Sequence, residues 1–314
     1  MTARKGIGVI KHLASYLPLK SRDQIYKMYV RPHLDYCDII YHIPVIKNDF
    51  YPSLSLNYQM NALERTQYQA ALAVSGAWKG SNRNKILEEL GWETLDLRRS
   101  FRRLVQFYKI MKGKTPDYLK IQIPSSQQSL GRHQPLNVLK TIFCRTDRYR
   151  NSFFPDSVLS WNGLTPSLRE AVSLSVFKKN ILKIIRPVKK SFFNIQNTDG
   201  IRWIFQLRVG LSPLKSHKIS HNFQDTTDDL CGCSLNAETT LHFLLKCPNY
   251  NIQRNILFQI VNPILTLYNL NNINDVELVR VLLYGDIKFK FHENQQLLKE
   301  TINFIEKTLR FSPI

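Results

Sequence analysis

The line CGCSLNAETTLHFLLKCPNY sets the strongest constraint on how this chain can fold, because three of its five cysteines fall there beside a histidine. Cys231 and Cys233 stand one residue apart, His242 follows, and Cys247 closes a stretch of seventeen residues. Three thiols and an imidazole make a tetrahedral Cys3His donor set of the kind that holds structural Zn2+. Leu241 to Lys246 reads as a short helix with Thr239 or Thr240 as its N-cap. His242 and Cys247 are five positions apart, roughly 140° on an ideal helix, so one helix face cannot offer both. Cys247 precedes Pro248, however, and a residue before proline is pushed out of the α region, which lets Cys247 turn back as the helix ends. Gly232 gives the tight Cys-x-Cys pair the backbone freedom to bend both thiolates inward. The competing reading is three ordinary buried cysteines, since free Cys is among the most buried residue types.

With 314 residues the chain has room for two domains, or three small ones. Its 43% hydrophobic content predicts a globular rather than a disordered chain. No apolar run approaches the ~20 residues of a membrane span, and MTARKGIGVIKHLASYLPLK lacks a secretory h-region and cleavage site. The expected location is therefore intracellular, nuclear or cytoplasmic. An odd number of cysteines in a reducing compartment argues against a disulfide framework and for metal binding. The formal charge is +20. Residues 101–200 hold 18 basic and 5 acidic side chains, 18 − 5 = +13, so the charge is concentrated in the middle of the chain. Such a concentration reads as a footprint for phosphate backbones. A membrane surface fits less well, because no basic amphipathic helix stands alone with a bulky insertion face.

Along the chain, Ser21 and Gln24 form a capping-box start, and an apolar stripe of Ile25, Tyr29 and Val30 runs up to Pro32. Helices are expected from about Leu56 to Ser75, closed by Gly76, and over SNRNKILEELG with Ser81 or Asn82 as cap and Gly91 at the C-terminus. The helix from Thr94 to Lys112 is the clearest. Leu97, Phe101, Leu104, Val105, Tyr108 and Met111 make its core stripe, while Arg98, Arg99, Arg102, Arg103, Lys109 and Lys112 cover much of the rest. Those cations are either a solvated face or a set of phosphate contacts. A polar, turn-rich boundary falls near residues 122–136, and a small β-hairpin is expected about Arg145-Thr146-Asp147. Asp156-Ser157 starts a short helix. SLSVFKKNILKIIRP is amphipathic, with Val176, Phe177, Ile181, Ile184 and Ile185 inside and Lys178, Lys179, Lys183 and Arg186 outside. Further helices are expected to end near Gly210 and to span Ile252–Tyr268, Val276–Tyr284 and Leu297–Leu309. No phosphate loop, nucleophilic elbow or HExxH motif appears. His33 and His133 read as structural, and Asp228-Asp229 reads as an acidic loop rather than a cation site.

Several segments resemble the C-terminal portion of the reverse-transcriptase polyprotein of non-LTR (LINE-type, jockey-like) retrotransposons. They are IYKMYVRPHLDYCDIIYH, LERTQYQAALAVSGAWKGSNRNKILEELGWETLDLRRSFRRLVQFYKIMKGKTPDYL, RNSFFPDSVLSWNGL, QLRVGLSPLKSHKISHNFQDT and the cysteine line itself. They run through most of the first 250 residues in the family's order. The resemblance implies polymerase-thumb-like and connector helices, and a CCHC knuckle at Cys231, Cys233, His242 and Cys247 that engages template RNA or target DNA. It departs from the family at the palm: the family's metal-binding aspartates follow an aromatic-x pair, whereas the one Asp-Asp here follows Thr226-Thr227. Met1 is expected to lie past the catalytic core, so no polymerase activity is expected, since no two-metal clamp can form without the carboxylates.

The expected fold is mainly α in three parts. These are a thumb-like/connector helical domain over 1–121, a basic linker domain with a small hairpin over 122–199, and a CCHC zinc-knuckle helical domain over 200–314. One structural Zn2+ is expected, with no catalytic residues. RNA or DNA is the expected partner, along with other chains of the parent element, and no membrane. The alternative is a relic or repurposed protein-interaction module without nucleic-acid function.

Overall fold

The computed structural model describes residues 2–41, 62–125, 138–185 and 195–311. The chain is mainly helical, and no β-strand occurs among the described residues. Contacts sort it into two compact units, each drawn from non-adjacent stretches. One comprises Met1–Val30, Tyr68–Gly91 and Lys189–Ile314; the other comprises Arg31–Gln67 and Trp92–Val188. The boundary expected near 122–136 falls mostly outside the described residues, as do His133 and the start of the helix expected from Leu56.

The second unit is built around the helix Leu95–Met111. Thr94 caps it, its Oγ1 accepting from the Leu97 amide at 3.2 Å, and Asp96 in the first turn suits the positive helix end. On one side it packs against the helices Phe153–Asn162 and Leu174–Ile185, on the other against Arg31–Asp35 and Asp38–Tyr41. Phe107, Tyr108, Val158, Trp161, Phe177 and Ile181 form the core. Tyr108 stacks on Phe177 with ring centroids 4.4 Å apart, and its hydroxyl donates to the Ala171 carbonyl at 2.8 Å. Packing on both sides changes the expected stripe: Leu97 is exposed, while Arg98, Arg99 and Arg103 are buried. Val176, expected inside, is exposed as well. The hairpin expected about Arg145–Asp147 is not formed. Thr146 instead accepts from the Tyr149 amide and caps a helical turn, Asp147–Arg150, because a Thr-Asp pair starts a helix more readily than it turns a strand.

In the first unit the helix Phe291–Lys307 lies centrally, against Asn251–Leu267, Thr198–Val209 and Asp275–Tyr284. These elements follow the expected ones closely, except that the last begins six residues before Leu297 (297 − 291 = 6). Gly200 is required where two helices meet, since a Cβ there would stand 2.0 Å from a methyl of Ile302. The helix Arg83–Leu90 has the expected ends: Asn82 Oδ1 accepts from the Lys85 amide, and Gly91 takes a left-handed φ of 64°. The start at Ser21 is overturned, as Leu19–Ile25 begins two residues earlier, at a Pro18 that fixes φ but supplies no side-chain cap.

Arg208 ties the Thr198–Val209 helix to its neighbours from a fully desolvated position. It meets Glu89 at 3.0 Å, donates from Nε to the Leu283 carbonyl at 2.8 Å, and lies 4.6 Å from the Tyr284 ring centroid. Breaking a buried pair by removing one partner strands the other charge, at a cost of about 3–5 kcal/mol. Glu89→Ala should therefore lower the unfolding free energy obtained from a denaturant titration by an amount in that range, and adding Arg208→Met should recover most of it. A single variant as stable as the parent would show the pair to be dispensable.

Candidate metal centre and basic surfaces

Asp229 to Glu238 forms a tight chain reversal that brings Cys231 and Cys233 together. Glu238 N–H donates to the Asp229 carbonyl at 2.6 Å, Cys231 N–H to Asn236 at 2.9 Å and Ser234 N–H to Cys231 at 2.8 Å. The left-handed residue in this turn is Ser234, with φ 61°. Gly232 is not among the positive-φ positions, so the freedom expected of it is supplied elsewhere. The Asp228 carboxylate accepts from Lys215 Nζ at 3.0 Å and from the Leu230 amide at 2.9 Å, which makes this pair of acids part of the turn.

The second half of the site is a π-turn. His242–Lys246 is π-helical, and the Cys247 amide donates to the His242 carbonyl at 2.7 Å. An i→i+5 bond widens the turn, so the fifth residue comes closer to lying over the first. The 140° offset of an α-helix is reduced in this way, and the extended backbone of Cys247 does the rest. Cys247 itself is extended (φ −61°, ψ 121°), as a residue before proline should be. Thr239 is the cap: its Oγ1 accepts from the His242 amide at 3.1 Å.

These two pieces place one donor atom from each of Cys231, Cys233, His242 and Cys247 within 4.8 Å of one another. Cys231 Sγ and Cys247 Sγ are 3.6 Å apart, and Cys233 Sγ lies 3.2 Å from His242 Nε2. Sulfurs bound about 2.3 Å from one centre sit about 3.8 Å apart in a tetrahedron, so the group can hold one metal ion. The sulfur separation is far too long for a disulfide. Burial and the neighbouring sulfur push the Cys247 thiol up to about 12. Backbone amides, that of Leu235 foremost, draw Cys233 down, and burial keeps the His242 imidazole neutral by lowering its pKa. A buried thiol such as that of Cys247 is one whose ionisation a divalent cation would favour.

Residues outside the motif hold these ligands in place. The Arg254 guanidinium donates to the carbonyls of Leu244 at 2.9 Å and Cys247 at 2.7 Å, the end of the π-turn where orphan acceptors collect. Buried Glu238 accepts from Arg310 Nε at 2.6 Å and from the Lys215 amide at 2.8 Å. His217 bridges Ser212 Oγ at 2.8 Å and Thr240 Oγ1 at 3.3 Å, and burial pulls its pKa down to about 4. Phe243 packs between Tyr250, Phe304 and Phe311, at centroid distances of 5.3, 5.5 and 5.4 Å. None of these partners carries a local sequence signal.

The cations expected to meet phosphates divide into two groups. Arg98, Arg99 and Arg103 are buried. Arg98 meets Asp35 at 3.3 Å and Glu93 at 3.4 Å; Arg103 meets Asp156 at 3.1 Å. Arg99 donates to the Leu34 carbonyl at 3.2 Å, and Arg102 bridges Asp35 at 3.2 Å and Asp38 at 2.9 Å. These four hold the second unit together, because apart from Glu93 the groups they meet, Leu34, Asp35, Asp38 and Asp156, come from segments remote in the chain. Lys109 and Lys178 are half-buried, while Lys112 and Lys179 are exposed. Lys183 belongs to the helix Leu174–Ile185, but its side chain is not among those described. Another surface was not foreseen. Lys140, Arg145, Arg148 and Arg150 are all exposed, with Phe143 85% and Tyr149 49% exposed between them.

Arg103→Ala should strand Asp156 and cost about 3 kcal/mol, read as a lowered thermal midpoint. Arg254→Met should weaken metal retention about tenfold, as loss of a group that orients a ligand does, measured by competition with a chelator. Unchanged retention would mean that Arg254 only packs. No helix among the described residues is long and apolar enough to cross a membrane. No protein-family model matches the chain, and neither a curated protein nor a solved structure matches it.

Proposed function

We propose that this chain is a non-catalytic nucleic-acid-binding protein whose last third is organised by a structural zinc knuckle. The observation that carries the metal half is the convergence of Cys231, Cys233, His242 and Cys247. A Cys3His set with buried thiols and no carboxylate suits Zn2+ over harder cations. With four protein donors no position remains for a reacting water, so the ion is structural. The resemblance to the C-terminal part of a non-LTR retrotransposon reverse transcriptase supports the same reading and supplies its partner class, RNA or DNA.

The polynucleotide contact is carried by exposed groups, chiefly Lys140, Arg145, Arg148 and Arg150, with Lys112 and Lys179 as further cations. Arg150 is paired with Asp147, at 3.1 Å and in solvent, and such pairs are worth little. Exposed Phe143 and Tyr149 offer faces on which unpaired bases stack. Single strands are therefore preferred to duplex, and sequence preference is weak because phosphates position without specifying.

Purified protein should contain one zinc per chain, and Cys233→Ser with Cys247→Ser should remove it; metal-free protein with unchanged stability would overturn the knuckle. Binding to a short RNA, followed by fluorescence anisotropy, should weaken steeply with salt. Arg145→Glu, Arg148→Glu and Arg150→Glu together should flatten the log–log slope by about 2, at roughly 0.7 per lost single-strand contact. Salt-independent binding, or a slope unchanged in the triple variant, would exclude this surface.

A further inference from the structure

A cleft of about 850 Å3 lies within the first unit, lined among others by Lys11, Lys79, Arg202, Trp78, Trp203 and Gln206. Its volume suits a small ligand. Its lining includes five cations, the three named and Lys218 and Arg310, and no carboxylate. Lys218 and Arg310 are engaged with Asp225 and Glu238, and Arg202 meets the exposed Asp199 at 3.3 Å. Lys11 and Lys79 are exposed at the rim. Arg22, 2% exposed in the same unit, has no partner for its Nε or one of its terminal nitrogens. Burial and the nearby Arg202 cation pull Arg22 down to about 10. The region is thus short of negative charge.

The walls are aromatic and the deep end is polar. Trp78 leans on Phe223 at 5.6 Å, and Trp203 meets Phe311 edge-on at 6.1 Å. Gly76, with φ 71°, closes the helix Ala62–Ser75, and the stem of Arg202 lies 2.7 Å from where its Cβ would be. The Gly76 carbonyl accepts from Gln206 Nε2 at 3.1 Å. Leu72, Ala73, Ala77, Pro213 and Leu309 add apolar surface to the lining, against which a flat ring can pack beside Trp78 and Trp203.

We propose that this cleft binds a nucleotide, its phosphate held by Lys11, Lys79 and Arg202 and its base against Trp78. Base–aromatic contact and cation–phosphate contact supply the affinity. The site uses none of the residues assigned above to the polynucleotide surface, so either can fail alone. A chain that binds the nucleotide but no RNA keeps the cleft and removes the reading given under Proposed function. A chain that binds RNA but no nucleotide does the reverse.

Calorimetric titration of the zinc-loaded full chain with AMP tests the site, with adenosine and inorganic phosphate as controls. AMP should bind, and each control should bind at least about tenfold more weakly, since each lacks one class of contact. Lys11→Glu with Lys79→Glu should weaken AMP about tenfold or more, and these side chains are exposed, so the fold is kept. Trp78→Ala should weaken it about tenfold through lost stacking. No heat with AMP at millimolar concentration overturns the proposal, as does undiminished binding in both variants. Phosphate or adenosine binding as tightly as AMP also overturns it.

Discussion

The backbone hydrogen bond from the Cys247 amide to the His242 carbonyl decides whether this chain has a metal centre at all. A four-residue closure would send the imidazole and the third thiol to different sides of a helix. The five-residue closure observed here, with Cys247 turned into the extended region, brings them to one side. A π-turn is less stable than a continued α-helix and persists only where surrounding groups require it. Here Pro248 forbids continuation, Arg254 satisfies the carbonyls left open, and Phe243 anchors the turn among Tyr250, Phe304 and Phe311. The ring cluster thus orders the turn that carries two of the four candidate ligands, and a cation held there would offset the cost of burying Cys231 and Cys247.

A second constraint is the use of arginine as an internal tie. Arg98, Arg99, Arg103, Arg208 and Arg254 are all buried in a chain of formal charge +20. A guanidinium offers five donors in a plane, so one side chain can close several helix ends at once, as Arg254 does for the carbonyls of Leu244 and Cys247. Lysine, a compact and strongly hydrated charge, does this poorly. Arg98, Arg103 and Arg208 are each offset by a carboxylate beside them, and all five are too deeply buried to touch an external anion. The positive face available to a polyanion is thus smaller than the net charge implies, and it rests on different residues.

What the sequence made legible follows from the range of each interaction. Caps at Asn82 and Thr94, the left-handed glycines at 76, 91 and 210, and the extended Cys247 before Pro248 are set by neighbours within a few residues, and all are found. The four metal donors were legible too, because their spacing is local. The partners of Arg98 to Arg103 were not: Asp35 and Asp38 lie more than sixty residues away. A helix packed on one side should show one apolar stripe, and the Leu95–Met111 helix breaks that expectation because it is enclosed on two sides. Its charged flank reads as a solvated or ligand-binding face until the carboxylates that meet it are placed. The hairpin about Thr146 failed for a different reason. β-branched and aromatic residues there suggested strands, but no partner strand exists among the described residues to satisfy their backbone groups, and a capped helical turn satisfies its own.

Glu238 shows how the knuckle is joined to the rest of its unit. Its carboxylate takes Arg310 from near the chain's end and the Lys215 amide, while its carbonyl accepts from Ser216 and its amide closes the cysteine turn on Asp229. Charge-assisted bonds from Arg310 stand in for water around this buried carboxylate. The same Arg310 lines the cationic cleft and donates to the Pro213 carbonyl. Metal-ligand turn, terminal arginine and cleft wall are therefore consecutive contacts in one network. Glu238 thus ties the turn that carries Cys231 and Cys233, through its amide bond to Asp229, to Arg310 through its carboxylate.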